Sequence, residues 1–257
     1  MSTTVSQSRG NLVCFLPAQE SDGASTVALH VARALSLERG MSTLLADLDY
    51  HSGTVAQRLG MEPAGTLGDV SAEEPGAWSK VVAAREDFNV LAAPVSSGQL
   101  TTKGLPPIVD VLRGACGEYD YVVADLPSAL SSSAREILSM AWRLCIVFTP
   151  DFTSLHLARR RIRELGELTD DERLLCVLNR SGSSPVLNDD DVRTVLERED
   201  LWLLANDYPT VHKAERRGDF IASDTELGTQ LYGLAWRLDG LSRPPDAESS
   251  LLRRLLS

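Results

Sequence analysis

Short runs of apolar residues recur along the chain and alternate with longer segments of helical periodicity. The runs at residues 121–124 and 144–148, for example, are continuously apolar rather than alternating. A strand that is apolar on both faces is typical of a parallel sheet covered by helices on each side. The candidate strands lie at residues 11–18, 42–49, 88–94, 119–127, 143–150, 173–180 and 201–207. The pattern therefore predicts an α/β fold, with a doubly wound, mainly parallel sheet of about seven strands and helices on both faces.

The segments between these runs have the spacing of helices. They lie at residues 24–38, 105–116, 132–141, 153–167, 189–198, 209–217 and 225–239. The sequence contains no long linker and no internal repeat. We therefore expect one domain over residues 11–241, a disordered N-terminus over residues 1–10, and a linker with a short amphipathic tail over residues 242–257.

Composition narrows the classes of function. A hydrophobic content of 43% supports a large core, and the four cysteines, which lack metal-ligand spacing, are expected to be buried thiols. The formal net charge of −11 argues against nucleic acid as a partner, because Lys and Arg supply most non-specific binding to phosphates. The N-terminus has no signal-peptide pattern, and no apolar run approaches the ~18 residues of a membrane span. These features favour a cytoplasmic protein.

An altered phosphate-binding motif follows the first predicted strand. The Walker A motif, GxxxxGK[ST], joins a strand to a helix and surrounds phosphates with backbone amides, a lysine and a hydroxyl group. Residues 19–26 of this chain read QESDGAST in the same strand–loop–helix context. Gly23, Ser25 and Thr26 fit the motif, whereas Ala24 stands at the position of its lysine. The chain keeps the architecture of a phosphate loop but lacks the charge of one.

Acidic residues end two other predicted strands. Asp47 and Asp49 close the second strand, and Asp125 closes the fourth. Ligands of open parallel sheets bind outside the carboxyl ends of the strands. The sequence therefore predicts a ligand site where these carboxylates meet the loop of Gly23, although strands must also end in polar turns by chance.

The order of these motifs resembles the ParA/MinD group of deviant Walker ATPases, and within it most closely the CpaE/TadZ branch, which helps to place and assemble Flp (Tad) pili. The resemblance covers residues 11–240 and rests on the loop, on LLADLD at 44–49, on YVVADLP at 121–127 and on VLNR at 177–180. It implies a P-loop NTPase fold of the SIMIBI class, with ATP and Mg²⁺ as cofactors. It also implies a homodimer, pilus or secretion machinery as partners, and a position at the cell pole or inner membrane.

The resemblance also implies roles for the loop residues. Gly23 and Ala24, with the neighbouring backbone amides, would face the phosphates. Ser25 would be the hydroxyl ligand of Mg²⁺, and Thr26 would reach the α-phosphate. Asp125 corresponds to the Walker B carboxylate, which holds Mg²⁺ through water.

Three further residues take roles from the same resemblance. Asp49 corresponds to the switch carboxylate that orients the attacking water and is the one catalytic candidate. Asn179, and Asp207 in the turn at residues 206–209, match the place where this group holds adenine.

Several departures from the group act against phosphate binding. Gln19 and Ala24 stand where the group has its two loop lysines. Glu20 and Asp22 bring negative charge to the loop, and two like charges ~5 Å apart repel by roughly 3 kcal/mol at an effective dielectric constant of 20. Glu20 and Ser21 also replace glycines, so strain is expected wherever the loop needs a positive φ.

Three hypotheses of function remain open on these residues. The first is a pseudo-ATPase that acts as a localisation or scaffolding factor, with nucleotide absent or structural. The second is a slow MinD-like ATPase in which a partner chain, or an arginine such as Arg180, replaces the missing lysine charge. The third is a DNA partition ATPase, which the acidic composition disfavours. For the loop itself, the alternative to phosphate binding is a strand–helix turn inherited from an ATPase and now inert, which is compatible with the first hypothesis.

Two further segments are predicted to lie on the surface or to form contacts. Residues 154–167 contain four arginines, for which we predict a solvated basic face, with a partner surface as the alternative. The tail at residues 249–256 places leucines on one side of a short helix. It is interpreted as docked on the domain or as a dimer contact, with weak and reversible membrane-surface binding as the alternative.

Overall fold

The computed structural model describes residues 10–50, 53–70, 74, 76–94, 108–129, 132–167 and 169–240. Apart from residue 10, the predicted disordered N-terminus lies outside this part of the chain, as do the whole predicted tail and the first residues of the second predicted helix. The strands are β1 (Asn11–Pro17), β2 (Thr43–Asp47), β3 (Ala83–Ala84), β4 (Asn89–Leu91), β5 (Tyr121–Asp125), β6 (Arg143–Phe148), β7 (Leu174–Ser181) and β8 (Leu201–Ala205). The helices are α1 (Ala24–Arg39), α2 (Val55–Arg58), α3 (Ile108–Glu118), α4 (Ser132–Met140), α5 (Phe152–Gly166), α6 (Asp189–Leu196), α7 (Tyr208–Glu215) and α8 (Glu226–Leu238).

The described strands form a single sheet in the order β3-β4-β2-β5-β1-β6-β7-β8. Neighbouring strands are parallel except for β3, which pairs antiparallel with β4. The predicted fold class is confirmed, and each of the seven predicted strands is present. The sequence pattern missed β3 because its two residues are too short a segment to show periodicity.

Helices cover both faces of the sheet, and the sheet separates the hydrophobic core into two clusters. In the central strand β1, Leu12 and Cys14 pack on one face with α3, α4, α5 and α6. Val13 and Phe15 pack on the other face with α1, α7 and α8. The alternation of side chains along a strand explains why a strand at the centre of such a sheet must be apolar at every position. All four cysteines are free and buried, as expected.

The register of β2 against β5 positions the candidate site. Asp47 pairs with Asp125 across these two parallel strands, so the last residue of each strand reaches the same edge of the sheet. Strand β5 has β2 on one side and β1 on the other, and all three strands are parallel. The turn from β1 into α1 therefore lies at the same edge of the sheet. Within the described residues, no helix is both long enough and apolar enough to cross a membrane.

Candidate functional site

A cleft of about 480 Å³ opens at the carboxyl edge of the sheet. Its walls come from the loop between β1 and α1, the end of β5, α2, the end of β7 and the start of α7. The lining includes all eight residues that the sequence singled out: Gly23, Ala24, Ser25, Thr26, Asp49, Asp125, Asn179 and Asp207. The structure therefore brings these residues together, while their individual roles in binding stay predictions.

The loop turns into α1 through a glycine that no other residue could replace without a shift. Gly23 has φ 93°, in the left-handed region, and forms the N-cap of α1. A Cβ atom added there would lie 2.4 Å from Nδ2 of Asn179. Ser21 also adopts a positive φ, 72°, where a non-glycine residue is disfavoured by roughly 1–2 kcal/mol. The expectation that the loop needs positive φ values where glycines have been lost holds for Ser21.

Asp22 does not line the cleft, whereas its charge was expected on the phosphate side of the loop. Its side chain is turned inward and is 1% exposed. Oδ2 accepts hydrogen bonds from the backbone amide of Gln19 at 2.8 Å and from Oγ of Ser154 at 2.9 Å, and Oδ1 accepts from Oγ1 of Thr149 at 3.1 Å. Burial raises the pKa of Asp22, and these donors oppose the rise. Asp22 therefore anchors the loop to the junction of β6 and α5, and only Glu20 of the two acidic loop residues lines the cleft.

Two residues at the end of β7 hold the loop from the other side. Nδ2 of Asn179 donates to the carbonyl oxygen of Asp22 at 2.8 Å. Nη2 of Arg180 donates to the carbonyl oxygen of Ser21 at 3.0 Å. The conformation of the loop is thus fixed by side chains from distant strands, without either of the lysines that the family resemblance would supply.

The predicted solvated basic face on α5 is wrong for one of its arginines. Arg161 is buried, and burial lowers the pKa of its guanidinium group. Nε of Arg161 donates to the carbonyl oxygen of Ala18 at 3.2 Å, and Nη2 donates to the carbonyl oxygen of Ser128. Periodicity could not reveal this, because the partners belong to loops that precede Arg161 by 143 and 33 residues in sequence.

The carboxylates at the ends of β2 and β5 are buried next to each other. Burial raises the pKa of Asp125 to about 8, the neighbouring Asp47 adds to the rise, and a hydrogen bond from the Ser25 hydroxyl group opposes it. Burial also raises the pKa of Asp47 to about 6. Asp125 of the ligand-free protein is therefore expected to be largely protonated at neutral pH.

Asp47 organises the turn that carries Asp49. Its Oδ1 accepts from the backbone amide of Asp49, and its Oδ2 accepts from the backbone amide of Val55, both at 3.1 Å. A Cβ atom on Gly53 would lie 2.8 Å from Oδ2 of Asp47 and 2.7 Å from the carbonyl oxygen of Asp49, so this turn requires glycine. Asp47 thus has a structural role in this turn, and the half-buried Asp49 lines the cleft.

Arg58, on the short helix α2, is the site residue that the sequence analysis missed. Its Nη1 donates to Oγ1 of Thr26 at 2.7 Å and to Oε1 of Glu215 at 2.6 Å. Its Nε donates to Oγ1 of Thr54 at 3.0 Å. The spacing of Thr54 and Arg58 is that of neighbours on a helix and was the available signal, but a helix of four residues is too short to show periodicity.

The opposite wall of the cleft is formed by the start of α7. Asp207 caps this helix by accepting from the backbone amide of Thr210 at 3.1 Å. Tyr208 is 68% exposed and stacks on His212, with the ring centroids 5.7 Å apart. An exposed aromatic face at the mouth of a cleft can stack on a flat ring of a ligand.

Charge and oxygen chemistry decide what the cleft can hold. Among the described residues that line it, five carboxylates face two guanidinium groups: Glu20, Asp49, Asp125, Asp207 and Glu215 against Arg58 and Arg180. No cluster of three or more His, Cys, Asp or Glu side chains that could hold a metal ion occurs in the described part of the chain. The Ser25 hydroxyl group beside Asp125 fits Mg²⁺, because this ion takes few protein oxygens and keeps waters and substrate phosphates as its other ligands.

Comparison with known proteins supports the same fold. No protein-family model matches the chain. An uncharacterised ATP-binding protein of Methanocaldococcus jannaschii is 26% identical over 161 residues, which span 62% of this chain and 60% of that protein. The structure of a ParA family ATPase from Chlorobium tepidum has a TM-score of 0.77 at 21% identity and covers 88% of this chain and 98% of its own.

A second structural neighbour carries nucleotide. The septum site-determining protein MinD of Pyrococcus horikoshii, complexed with Mg-ADP, has a TM-score of 0.77 at 19% identity, over 90% of this chain and 96% of its own. The chain therefore has the fold of ParA and MinD ATPases, and identities at this level establish the fold alone.

Proposed function

We propose that this chain is a ParA/MinD-like switch protein of the CpaE/TadZ type, which binds Mg²⁺-ATP in the cleft and positions a partner assembly while hydrolysing nucleotide slowly or not at all. One observation carries the proposal. The eight predicted site residues line a single cleft in which Ser25 is hydrogen-bonded to Asp125, yet Gln19 and Ala24 stand at both lysine positions.

Binding is supported by the state of the loop. Of the two acidic loop residues, only Glu20 lines the cleft, so only one of the two carboxylates would meet a bound anion directly. The loop is held in shape by Asn179 and Arg180, which reduces the entropy that a ligand must remove. In this proposal Ser25 and Asp125 hold Mg²⁺, which neutralises charge on the phosphates, and the loop amides hold the phosphates themselves.

Slow hydrolysis follows from the missing cations. Phosphoryl transfer depends chiefly on positive groups that stabilise charge in the transition state. Nε2 of Gln19 lies 3.5 Å from Oδ2 of Asp151, so this side chain is turned toward the start of α5. Ala24 offers no charge. Asp49 remains as the group that would orient an attacking water.

The partner role is supported by the surface beside the cleft. Phe152 is 78% exposed and Val186 is 75% exposed, and both line a second depression that shares Arg180 with the main cleft. Exposed apolar residues grouped beside a ligand site are typical of a protein contact. The proposal assigns this face to a second copy of the chain or to a component of pilus or secretion machinery.

Calorimetry on nucleotide-stripped protein tests the proposal. Titration with Mg²⁺-ATP to millimolar concentration should give a Kd tighter than ~100 μM, which corresponds to roughly 5.5 kcal/mol. If the protein unfolds cooperatively but does not bind Mg²⁺-ATP, the proposal that the cleft binds nucleotide is overturned. If binding occurs, comparison of turnover in the wild type and in Asp49→Ala decides between a slow ATPase and a scaffold. A turnover that the substitution abolishes favours the ATPase, and none in either form favours the scaffold.

A further inference from the structure

One arginine joins three segments around the cleft. Arg58 is the last residue of α2, Thr26 lies in the first turn of α1, and Glu215 is the last residue of α7. The guanidinium group donates to the Thr26 hydroxyl group and to the Glu215 carboxylate through the same nitrogen, Nη1. The cation therefore lies between the phosphate loop and the wall opposite.

We propose that Arg58 supplies the positive charge for the phosphates of a bound nucleotide in place of both loop lysines, and that Glu215 is the counter-ion it gives up on binding. The inference rests on the proposed function, because it assigns a residue to the same cleft. It differs from the earlier hypothesis, which named Arg180, because Arg58 donates to the side chain of Thr26, whereas Arg180 donates to a main-chain carbonyl oxygen of the loop.

The position of Arg58 is the first argument. Thr26 follows the lysine position, Ala24, by two residues, and the guanidinium group lies 2.7 Å from its hydroxyl oxygen. An anion at the start of α1 would therefore lie beside this cation. The planar fork of arginine matches carboxylate and phosphate oxygens alike, so one ligand can replace the other.

The other two arginines near the loop donate to main-chain carbonyl oxygens instead of loop side chains. Arg180 lines the cleft, but its side chain is exposed and donates to the carbonyl oxygen of Ser21. Arg161 is buried behind the loop and donates to the carbonyl oxygens of Ala18 and Ser128. Of the two arginines that line the cleft, Arg58 is the one hydrogen-bonded to a loop side chain.

The ion pair with Glu215 is open to exchange. The two side chains are 32% and 37% exposed, so water screens their attraction. A phosphate with more than one negative charge competes well against a single half-exposed carboxylate. Arrival of phosphate would then break the link between α2 and α7, and α2 follows directly on the turn that carries Asp49. Occupancy of the cleft would be transmitted to both segments.

Four variants test the inference, with Mg²⁺-ATP and Mg²⁺-pyrophosphate as calorimetric probes. We expect Arg58→Gln to weaken the binding of both probes at least tenfold. Both should be affected because pyrophosphate makes the phosphate contacts of ATP without those of the base. Glu215→Gln should tighten both by about twofold to fivefold, since the competing carboxylate is gone. The double variant should match Arg58→Gln. The matched control is Arg163→Gln, which removes an exposed arginine from outside the cleft lining and should change neither affinity.

The outcomes separate this inference from the proposed function. If the folded wild type binds neither probe, the proposed function fails. If it binds both and Arg58→Gln binds equally well, the inference alone fails. Weaker binding by Glu215→Gln would overturn the exchange of counter-ions. Should Arg58→Gln fold poorly because Glu215 has lost its partner, the double variant takes its place. Arg58→Lys keeps the charge and should bind pyrophosphate more tightly than the double variant, whereas a purely structural arginine would give two variants of equal affinity.

Discussion

On the loop wall of the cleft the groups held in place are main-chain carbonyls, whereas on the second wall, at the end of β5, the group is the buried carboxylate of Asp125, next to that of Asp47. The loop is supported from behind by Asp22 and Asn179, so its shape does not depend on the residues at its lysine positions. The two carboxylates instead contribute their own charge, and burial raises the pKa of each. The comparison teaches that the side chains at positions 19 and 24 can change without altering the shape of the loop, while Asp125 opposes folding once it is ionised. Asp47 holds two backbone amides of its turn, whereas folding alone does not account for Asp125, which favours a role in ligand binding.

The largest effect is expected from Asp125→Asn in the ligand-free protein. The folded-state pKa of Asp125, about 8, lies above its ordinary value of 3.8. The folded protein therefore binds this proton more tightly, and the stabilisation is lost as the pH rises from about 4 to about 8. We expect Asp125→Asn to exceed the wild type in free energy of unfolding by several kcal/mol at pH 8.5, with a much smaller difference at pH 4.5.

Urea denaturation across this pH range measures the effect, and the variant should at the same time lose Mg²⁺-ATP binding. Asp224→Asn, at an exposed position, is the control and should follow the wild-type pH curve. Parallel curves for Asp125→Asn and the wild type would show that the second wall imposes no penalty.

On the loop wall, Asp22→Ala should lower the free energy of unfolding by about 2–3 kcal/mol. The substitution leaves the amide of Gln19 and the hydroxyl group of Ser154 without this acceptor, and unsatisfied buried donors cost about 1–3 kcal/mol. The Thr149 hydroxyl group keeps Asp151 as an acceptor. The control in the same loop is Glu20→Ala, at an exposed position, for which we expect a change below about 0.5 kcal/mol. Equal losses in both variants would contradict the inward anchoring of Asp22.

Gly23→Ala should cost about 2 kcal/mol of stability. Roughly half arises from the left-handed φ and half from displacement of Asn179, which gives up its hydrogen bond to the loop. The matched control is Gly40→Ala at the end of α1, where φ is 62° and an added Cβ meets nothing within 4 Å. Thermal denaturation of both variants isolates the contribution of Asn179, and an equal cost at the two glycines would remove this residue from the support of the loop.

The smallest effect is expected from Glu20→Gln, which removes the loop acid that faces the cleft. Stability should be unchanged within about 0.5 kcal/mol. The affinity for Mg²⁺-pyrophosphate should rise severalfold, because a negative charge at the mouth of the site is removed. Calorimetry at low salt measures this best, and the gain should shrink as salt screens the charge. A gain that is independent of salt would point to a conformational cause.

The fold was predictable because the sheet imposes its pattern on the sequence. A strand buried on both faces must be continuously apolar, and β1, β5 and β6 show this directly. Parallel strands also end at a common edge, which is why Asp49, Asp125 and Gly23 could be grouped before any coordinates were known. By contrast, β3 and α2 have two and four residues, which is too few to establish a period.

The orientation of site side chains was less predictable, because it depends on partners far away in sequence. Asp22 turns inward toward donors 127 and 132 residues later in the chain. Arg58 meets Glu215 across 157 residues. No local sequence pattern encodes contacts between residues so far apart. The sequence therefore indicated which residues lie near the cleft, but not whether each side chain points into the cleft or away from it. Arg161 was assigned to a solvated surface for the same reason.

The support of the loop from behind has an evolutionary consequence. The anchors at Asp22 and Arg161 do not line the cleft, so their support of the loop does not depend on what the nucleotide chemistry requires. A lineage with this arrangement can lose lysine at positions 19 and 24 without remodelling the backbone. It can also regain a cation there through single substitutions. Switches with and without turnover can therefore be near neighbours in sequence, separated by a few codons rather than by a change of architecture.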